Sequence, residues 1–350
     1  MKKYWTTAKY KLHNKRRADY SLQTRLRGNR IRSHLNYSKN LKPKKFVTVE
    51  APENFTLIGN PDEVIKFVRI LRWYFQRKQR VWVVLKYVKA IDYDAIVVLL
   101  SIMVRFKAEG ILFNGDFPTD GACRKILDQS GFISNLNRRF DDVENYTITA
   151  KDNFLTHGAK LVRSELGADL ITEVSSRVWG KQQRCPLVQT TLVELMQNTF
   201  GHAVPEQEGG RHWWLSINHS AVERKLRFSF VDYGVGIFKS LSGKSKGSRW
   251  FGVLDRLFER FHYGDNAELL KLILNGELHR TVTNEYFRGQ GLPGILDAVN
   301  ENALTNLHIL TNNVHAKVSE GVYVLLKDDF PGTFIYWEVI PANQHFDLEV

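Results

Sequence analysis

Two cysteines in 350 residues, Cys123 and Cys185, are too few for a disulfide framework or a cysteine-built zinc site. Long apolar runs are also missing. The longest, from Ala95 to Val104, stops at Arg105 and falls well short of the ~20 residues that a membrane-spanning helix needs. The basic N-terminus is followed by no apolar segment, which excludes a secretory signal. No internal repeat is present. Negative charge is nearly absent from the first 45 residues, where Asp19 stands alone against 15 Lys and Arg. These absences predict a reducing, cytoplasmic protein with no membrane association.

An apolar content of 43% and an aromatic content of 12% indicate a folded chain with room for two or three domains. The net charge of +13 is localised, because the residues after position 45 hold 35 basic and 36 acidic side chains. Residues 1–45 therefore read as a basic arm that orders on a partner. Arg16, Arg17, Arg25, Arg27, Arg30 and Arg32 suit forked contacts to phosphate, and Tyr10, Tyr20 and Tyr37 suit stacking on unpaired bases. Nucleic acid is the expected partner. An acidic protein surface competes with it, and the lack of a strong apolar face argues against a membrane.

A first folded unit spans about Phe46 to Ile133. The stretches "FVTVEAP", "VWVVLKYV" and "ILFNGD" read as strands. "PDEVIKFVRILRWYFQRK", "DAIVVLLSIMVRFKAEG" and "DGACRKILDQSGF" read as helices, the last two closed by Gly110 and Gly131. Alternation at this spacing predicts a small α/β layer. Its order, with the "KAIDYDAI" turn feeding a long helix, resembles the STAS domain of anti-sigma-factor antagonists over residues 46–140. That family commonly carries a phosphorylatable hydroxyl just after the acidic turn residue. Here the turn reads Ile91-Asp92-Tyr93-Asp94-Ala95, so the resemblance implies docking rather than a phosphorylation switch.

The second unit covers residues 150–350. Helices are expected from Leu155 to Phe200, strands at "RHWWLSIN" and "LRFSFVDYG", then a long irregular insert. A helix at "GILDAVNENA" and strands at "NLHILTN", "GVYVLL" and "TFIYWEVI" follow. In "VELMQNTFGHA", residues Glu194, Asn198 and His202 are four apart, and at about 100° per residue they share one helix face. Leu192, Leu195, Met196 and Thr199 line another. A solvated polar face would look the same.

Three further stretches narrow the choice. "FVDYGVGI" ends a strand in Asp232, a carboxylate that is costly to desolvate unless it accepts hydrogen bonds, and the amino group of a purine would satisfy it. Gly234 and Gly236 then let the backbone approach a flat ligand, although the pattern is also a common turn. "RGQGLPGI" sets Gly289, Gly291 and Gly294 before a helix, where free amides suit phosphate; a flexible connecting loop is the plain alternative. "PGTFIYWEVIP" is a Gly-Thr ahead of the last strand. The "SGKS" at 242–245 lacks the earlier glycine of a P-loop, Phe238 standing in its place.

In this order the four motifs resemble the GHKL ATPase superfamily, which includes gyrase B subunits, the ninety-kilodalton heat-shock chaperones, histidine kinases and MutL-type repair proteins. The resemblance implies a two-layer α/β sandwich of the Bergerat type, preceded by the STAS-like unit and the basic arm. It implies ATP and Mg2+ as ligands, with Asn198 on the metal and Asp232 on the adenine amino group. Gly234 and Gly236 would shape the pocket, and Thr333 would join the adenine contacts. Gly289, Gly291 and Leu292 would edge the phosphates, His202 would approach them or serve the core, and Glu194 would polarise the attacking water.

A slow Mg2+-dependent ATPase whose lid closure regulates partner binding is the function so implied. Gyrase and MutL types take a lysine from a following domain. Here that cation would come from the lid or from a second subunit, so a homodimer is one expected assembly. The alternatives are a protein kinase of histidine or anti-sigma serine type, and a module that binds ATP without hydrolysing it. The histidine-kinase form needs an acceptor histidine on a preceding helix, for which His157 is the candidate; a plain surface histidine is the competing account.

Overall fold

The computed structural model describes residues 46–132, 146–150, 153–159, 164–182, 184–201, 212–234, 236–238, 266–277 and 291–343. The chain divides into two compact units, residues 1–47 and 48–350. The basic arm lies outside the described residues. The class is mixed α/β, with both parallel and antiparallel sheets.

The N-terminal layer begins with β1 (Val47–Glu50) and β2 (Asn54–Phe55), followed by helix α1 (Pro61–Gln76). Pro61 opens α1 where no amide partner is needed, and Asp62 and Glu63 in the first turn complement the helix dipole. Val64, Ile65, Phe67, Val68 and Leu71 form its buried stripe. Strands β3 (Val81–Val84) and β4 (Ala90–Ile91) lead to α2 (Tyr93–Ala108), then β5 (Phe113–Gly115) and α3 (Gly121–Gln129).

Asp92 caps α2 by accepting from Ala95 N at 2.7 Å, and also takes Leu57 N at 3.1 Å. Asp120 caps α3 through Cys123 N at 2.8 Å. Strand order is β1-β3-β5, the β3–β5 pairing being parallel, with a separate parallel pair β2-β4.

A six-stranded sheet forms the rest of the frame. Its strands are β6 (Tyr146–Ala150), β7 (Asn153–Ala159), β8 (His212–Ser220), β9 (Lys225–Asp232), β10 (Thr305–Lys317) and β11 (Val322–Val339). The order is β10-β11-β9-β8-β7-β6, every neighbour antiparallel. Helices α4 (Ser164–Trp179), α5 (Pro186–Gly201), α6 (Asn266–Leu274) and α7 (Leu292–Asn300) complete the described elements together with a 3-10 turn at Val318–Glu320.

Side-chain alternation sends successive residues to opposite faces of this sheet. Trp213, Leu215, Ile217, Phe228, Phe230, Ile335 and Trp337 pack with apolar residues of α4, α5, α6 and α7. Trp214, Val231, Leu310, Phe334 and Tyr336 pack instead with α1, α2 and α3. Helices therefore cover both faces, α4 to α7 on one and those of the N-terminal layer on the other. The central helix α2 is apolar nearly all round because it lies between the sheet and its own layer, with Ile96, Val97, Val98, Leu99, Leu100 and Ile102 all buried.

Three expectations are corrected. The helix expected from Leu155 begins only at Ser164, and residues 153–159 are strand β7. In "NFLTHGA", Thr156 favours extended backbone and Gly158 disfavours helix. His157 thus sits on a strand, in register with Trp214 and Tyr146, rather than on a helix. The insert after β9 is not wholly irregular, since α6 lies within it. The two strands expected at the C-terminus are one 18-residue strand, β11, running through Pro331 and Gly332.

Candidate functional site

The end of β9 gathers the adenine candidates. Register places Asp232 between Trp213 on β8 and Thr333 on β11, and Thr333 opposite Thr311 on β10. Directly paired residues point the same way, so Trp213, Asp232, Thr333 and Thr311 form one row facing the helices α4 to α7. Asp232 keeps some surface, but its carboxyl lies deep enough that burial pushes its pKa up to about 6. Among the described residues its one hydrogen-bond donor is Gly234 N, at 2.7 Å. Thr333 is 8% exposed.

The glycines of this turn have separate causes. At Gly234 a Cβ would come within 2.8 Å of Asp232 Oδ1, the oxygen that the turn itself binds. Gly236 has φ 78°, and a Cβ there would meet Asn312 Oδ1 at 2.6 Å. The turn is held to β10 by Thr311, whose Oγ1 accepts from Ile237 N at 3.0 Å and donates to Gly332 O at 3.3 Å. Gly332 allows the closest approach of all. Its φ is 141°, and a Cβ would lie 2.0 Å from the carbonyl oxygen of Asp232. Only glycine fits β11 against this strand end.

The phosphate candidates meet elsewhere on the same helical layer. Leu192, Leu195, Met196 and Thr199 of α5 are buried as their spacing predicts, and Glu194 and Asn198 are half-buried one turn apart. Glu194 Oε2 accepts from Gly291 N at 2.8 Å, joining the two motifs 97 positions apart. Gly291 is the N-cap of α7 with φ 81° and ψ −148°, and half-buried Leu292 is the first helical residue, packed on the core of that layer. His202 and Gly289 lie outside the described residues. Among the described residues no group of three His, Cys, Asp or Glu side chains could hold a metal. Asn198 is the one expected metal ligand described.

Thr311 and Asn312 contact the candidate site but were not singled out by spacing, whereas Gly332 entered as the glycine of the Gly-Thr motif. The signal is there in "HILTNNVHA", where Thr311 and Asn312 are buried polar residues interrupting an apolar strand and Asn312 adopts φ 49°.

The opposite face of the same strands is polar where it meets α2. Ser229 Oγ donates to Asp94 Oδ1, both residues being buried. Burial, with the charge of Asp92 nearby, holds the Asp94 carboxyl well above the usual carboxylate range. Asp92 is raised to about 7 by burial. Tyr336 Oη donates to Glu338 Oε1 at 2.6 Å, and Lys225 Nζ lies 3.1 Å from the same carboxylate. His308 Nδ1 and His315 Nε2 are 3.1 Å apart, and burial lowers both rings to about 4. Tyr233, next to Asp232, is buried on this side, with its Oη 2.7 Å from Ser101 Oγ on α2 and the Arg72 guanidinium over its ring.

No helix among the described residues is long and apolar enough to cross a membrane. Comparison with protein-family models, curated proteins and solved structures returned no match for this chain.

Proposed function

We propose that this chain is an ATP-binding protein of the GHKL type, with a Bergerat-type pocket and slow Mg2+-dependent hydrolysis. The observation that carries the reading is Asp232. A carboxylate desolvated at the end of a central strand, with one amide donor among the described residues and Thr333 in register beside it, is an acceptor matched to an exocyclic amino group. The order of the four motifs along the sequence supports the same reading.

In this proposal Asp232 and Thr333 orient the base, and Gly234, Gly236 and Gly332 keep the strand ends narrow enough for a flat ring. Gly291 N–H and Leu292 N–H supply donors for phosphate at the start of α7, Pro293 having none and Gly294 N being held by Gly291 O. Mg2+, when bound, would neutralise phosphate charge; it commonly takes one or two protein ligands alongside phosphates and water, and Asn198 fits that need. Glu194, one turn away, would orient a water. The STAS-like layer serves as a docking platform. Residues 1–45 contact nucleic acid, and ATP regulates that contact.

The test is titration of full-length protein with a fluorescent ATP analogue. Asp232→Asn replaces an acceptor by a mixed donor and acceptor, and is expected to weaken binding roughly ten- to hundredfold, the cost of one unmatched buried group. Unchanged affinity in a folded variant sinks the pocket.

A further inference from the structure

We infer that the Glu194 carboxylate competes with a nucleotide phosphate for the Gly291 amide, so that Glu194 gates phosphate binding in addition to its place beside the water. The inference rests on the ATP reading above. The Gly291 N–H donates to Glu194 Oε2 at 2.8 Å. One amide proton cannot serve two anionic acceptors at full strength, and a charged acceptor holds it firmly.

The setting makes this contact unusual for a helix start. An N-cap residue such as Ser or Asp would satisfy the first amides from its own side chain, but Gly291 has none and makes no side-chain cap. A carboxylate from another helix, α5, instead takes the N–H of the N-cap residue itself. Negative charge is favoured at a helix N-terminus whether it comes from a side chain or a phosphate. Glu194 therefore stands where a phosphate oxygen would stand, carrying charge of the same sign.

Two effects then act in one direction. While Glu194 holds Gly291, the amide is engaged and the carboxylate repels an incoming phosphate. When a phosphate takes the amide, Glu194 is released, and the freed carboxylate can orient water. Engagement of the phosphate and readiness for hydrolysis become one event. A base that only polarises water would not affect the affinity for nucleotide.

The experiment measures ATP·Mg2+ and adenosine binding by calorimetry to full-length wild type, Glu194→Gln and Glu194→Ala, with circular dichroism to verify folding. ATP is expected to bind Glu194→Ala about tenfold more tightly, the scale of one charge-assisted hydrogen bond, with a smaller gain in Glu194→Gln. Adenosine affinity stays unchanged. In 15N-labelled protein the Gly291 amide resonance shifts in Glu194→Ala without ligand, and shifts in wild type on adding ATP. No gain for ATP, an equal gain for adenosine, or a gain with an unmoved Gly291 amide each overturns the competition while leaving ATP binding intact. Absence of both ATP and adenosine binding in wild type overturns the ATP reading itself.

Discussion

Asp232 on β9 and Thr333 on β11 stand directly opposite one another, with Gly332 pressed against the carbonyl of Asp232. This contact ties the site to the backbone and not only to side chains. Gly332→Ala should cost roughly 2–4 kcal/mol, combining overpacking with backbone strain, and should also lower nucleotide affinity. Gly321→Ala is the control, because Gly321 also has positive φ but a Cβ there meets nothing within 4 Å. Urea unfolding of both variants measures the losses. A Gly332→Ala loss no larger than that of Gly321→Ala, whose φ of 68° is the milder left-handed case, would remove the close contact as a cause.

Ligand binding should depend on pH through Asp232. Its carboxyl titrates at about 6, and the ionised form, acceptor-only and charged, is the stronger partner for an amino group. Adenosine affinity is therefore expected to fall about tenfold from pH 7 to pH 5, following the ionised fraction of a single group. Adenosine is the probe because it carries no titrating phosphate. Asp232→Asn should bind weakly with little pH dependence, and a wild-type profile flat over this range would remove Asp232 from the contact.

Stability should respond to Asp94 with the opposite sign from an ordinary paired carboxylate. Its folded pKa is raised, so between the unfolded and folded values the native state binds the extra proton and stability declines as pH rises. His308 and His315, lowered to about 4, act the other way: they stay neutral in the fold, and stability is lost as pH falls from about 6.5 towards 4. Asp94→Asn keeps an acceptor for Ser229 and removes the charge. The variant should be more stable than wild type at pH 8, with the difference shrinking towards pH 4. Chemical denaturation across that range tests it, and a constant difference would refute it.

Residues 1–45 should confer most of the salt dependence of nucleic-acid binding. Full-length protein is expected to show a log–log salt slope of about −0.7 to −0.9 per phosphate neutralised. Deletion of the arm should flatten that slope and leave ATP affinity unchanged. Equal nucleic-acid affinity of the two forms at matched salt would exclude the arm.

Local chemistry made much of this legible in the sequence. Pro61 marked the start of α1, and the spacing of Leu192, Leu195, Met196 and Thr199 marked the buried side of α5. The Asp92 turn opened α2, as its cap shows. What spacing could not carry is contact at long range. That Glu194 would hold the amide of Gly291, or that Gly332 would abut Asp232, depends on strand order and register, which no window along the chain contains. The β7 strand was lost for a related reason. Its seven residues are short, and its pairing with β8 decides a segment whose own pattern is ambiguous.

One peptide bond separates Asp232, on the side of α4 to α7, from Tyr233, whose hydroxyl meets Ser101 of α2 on the other side. A displacement of the backbone at this turn would be felt by both side chains, because consecutive residues of a strand share it. Such coupling free energies are reciprocal. If a nucleotide is held at Asp232 as proposed, a partner that moved α2 would bear on its affinity, and the nucleotide on the partner's, through a single turn of backbone.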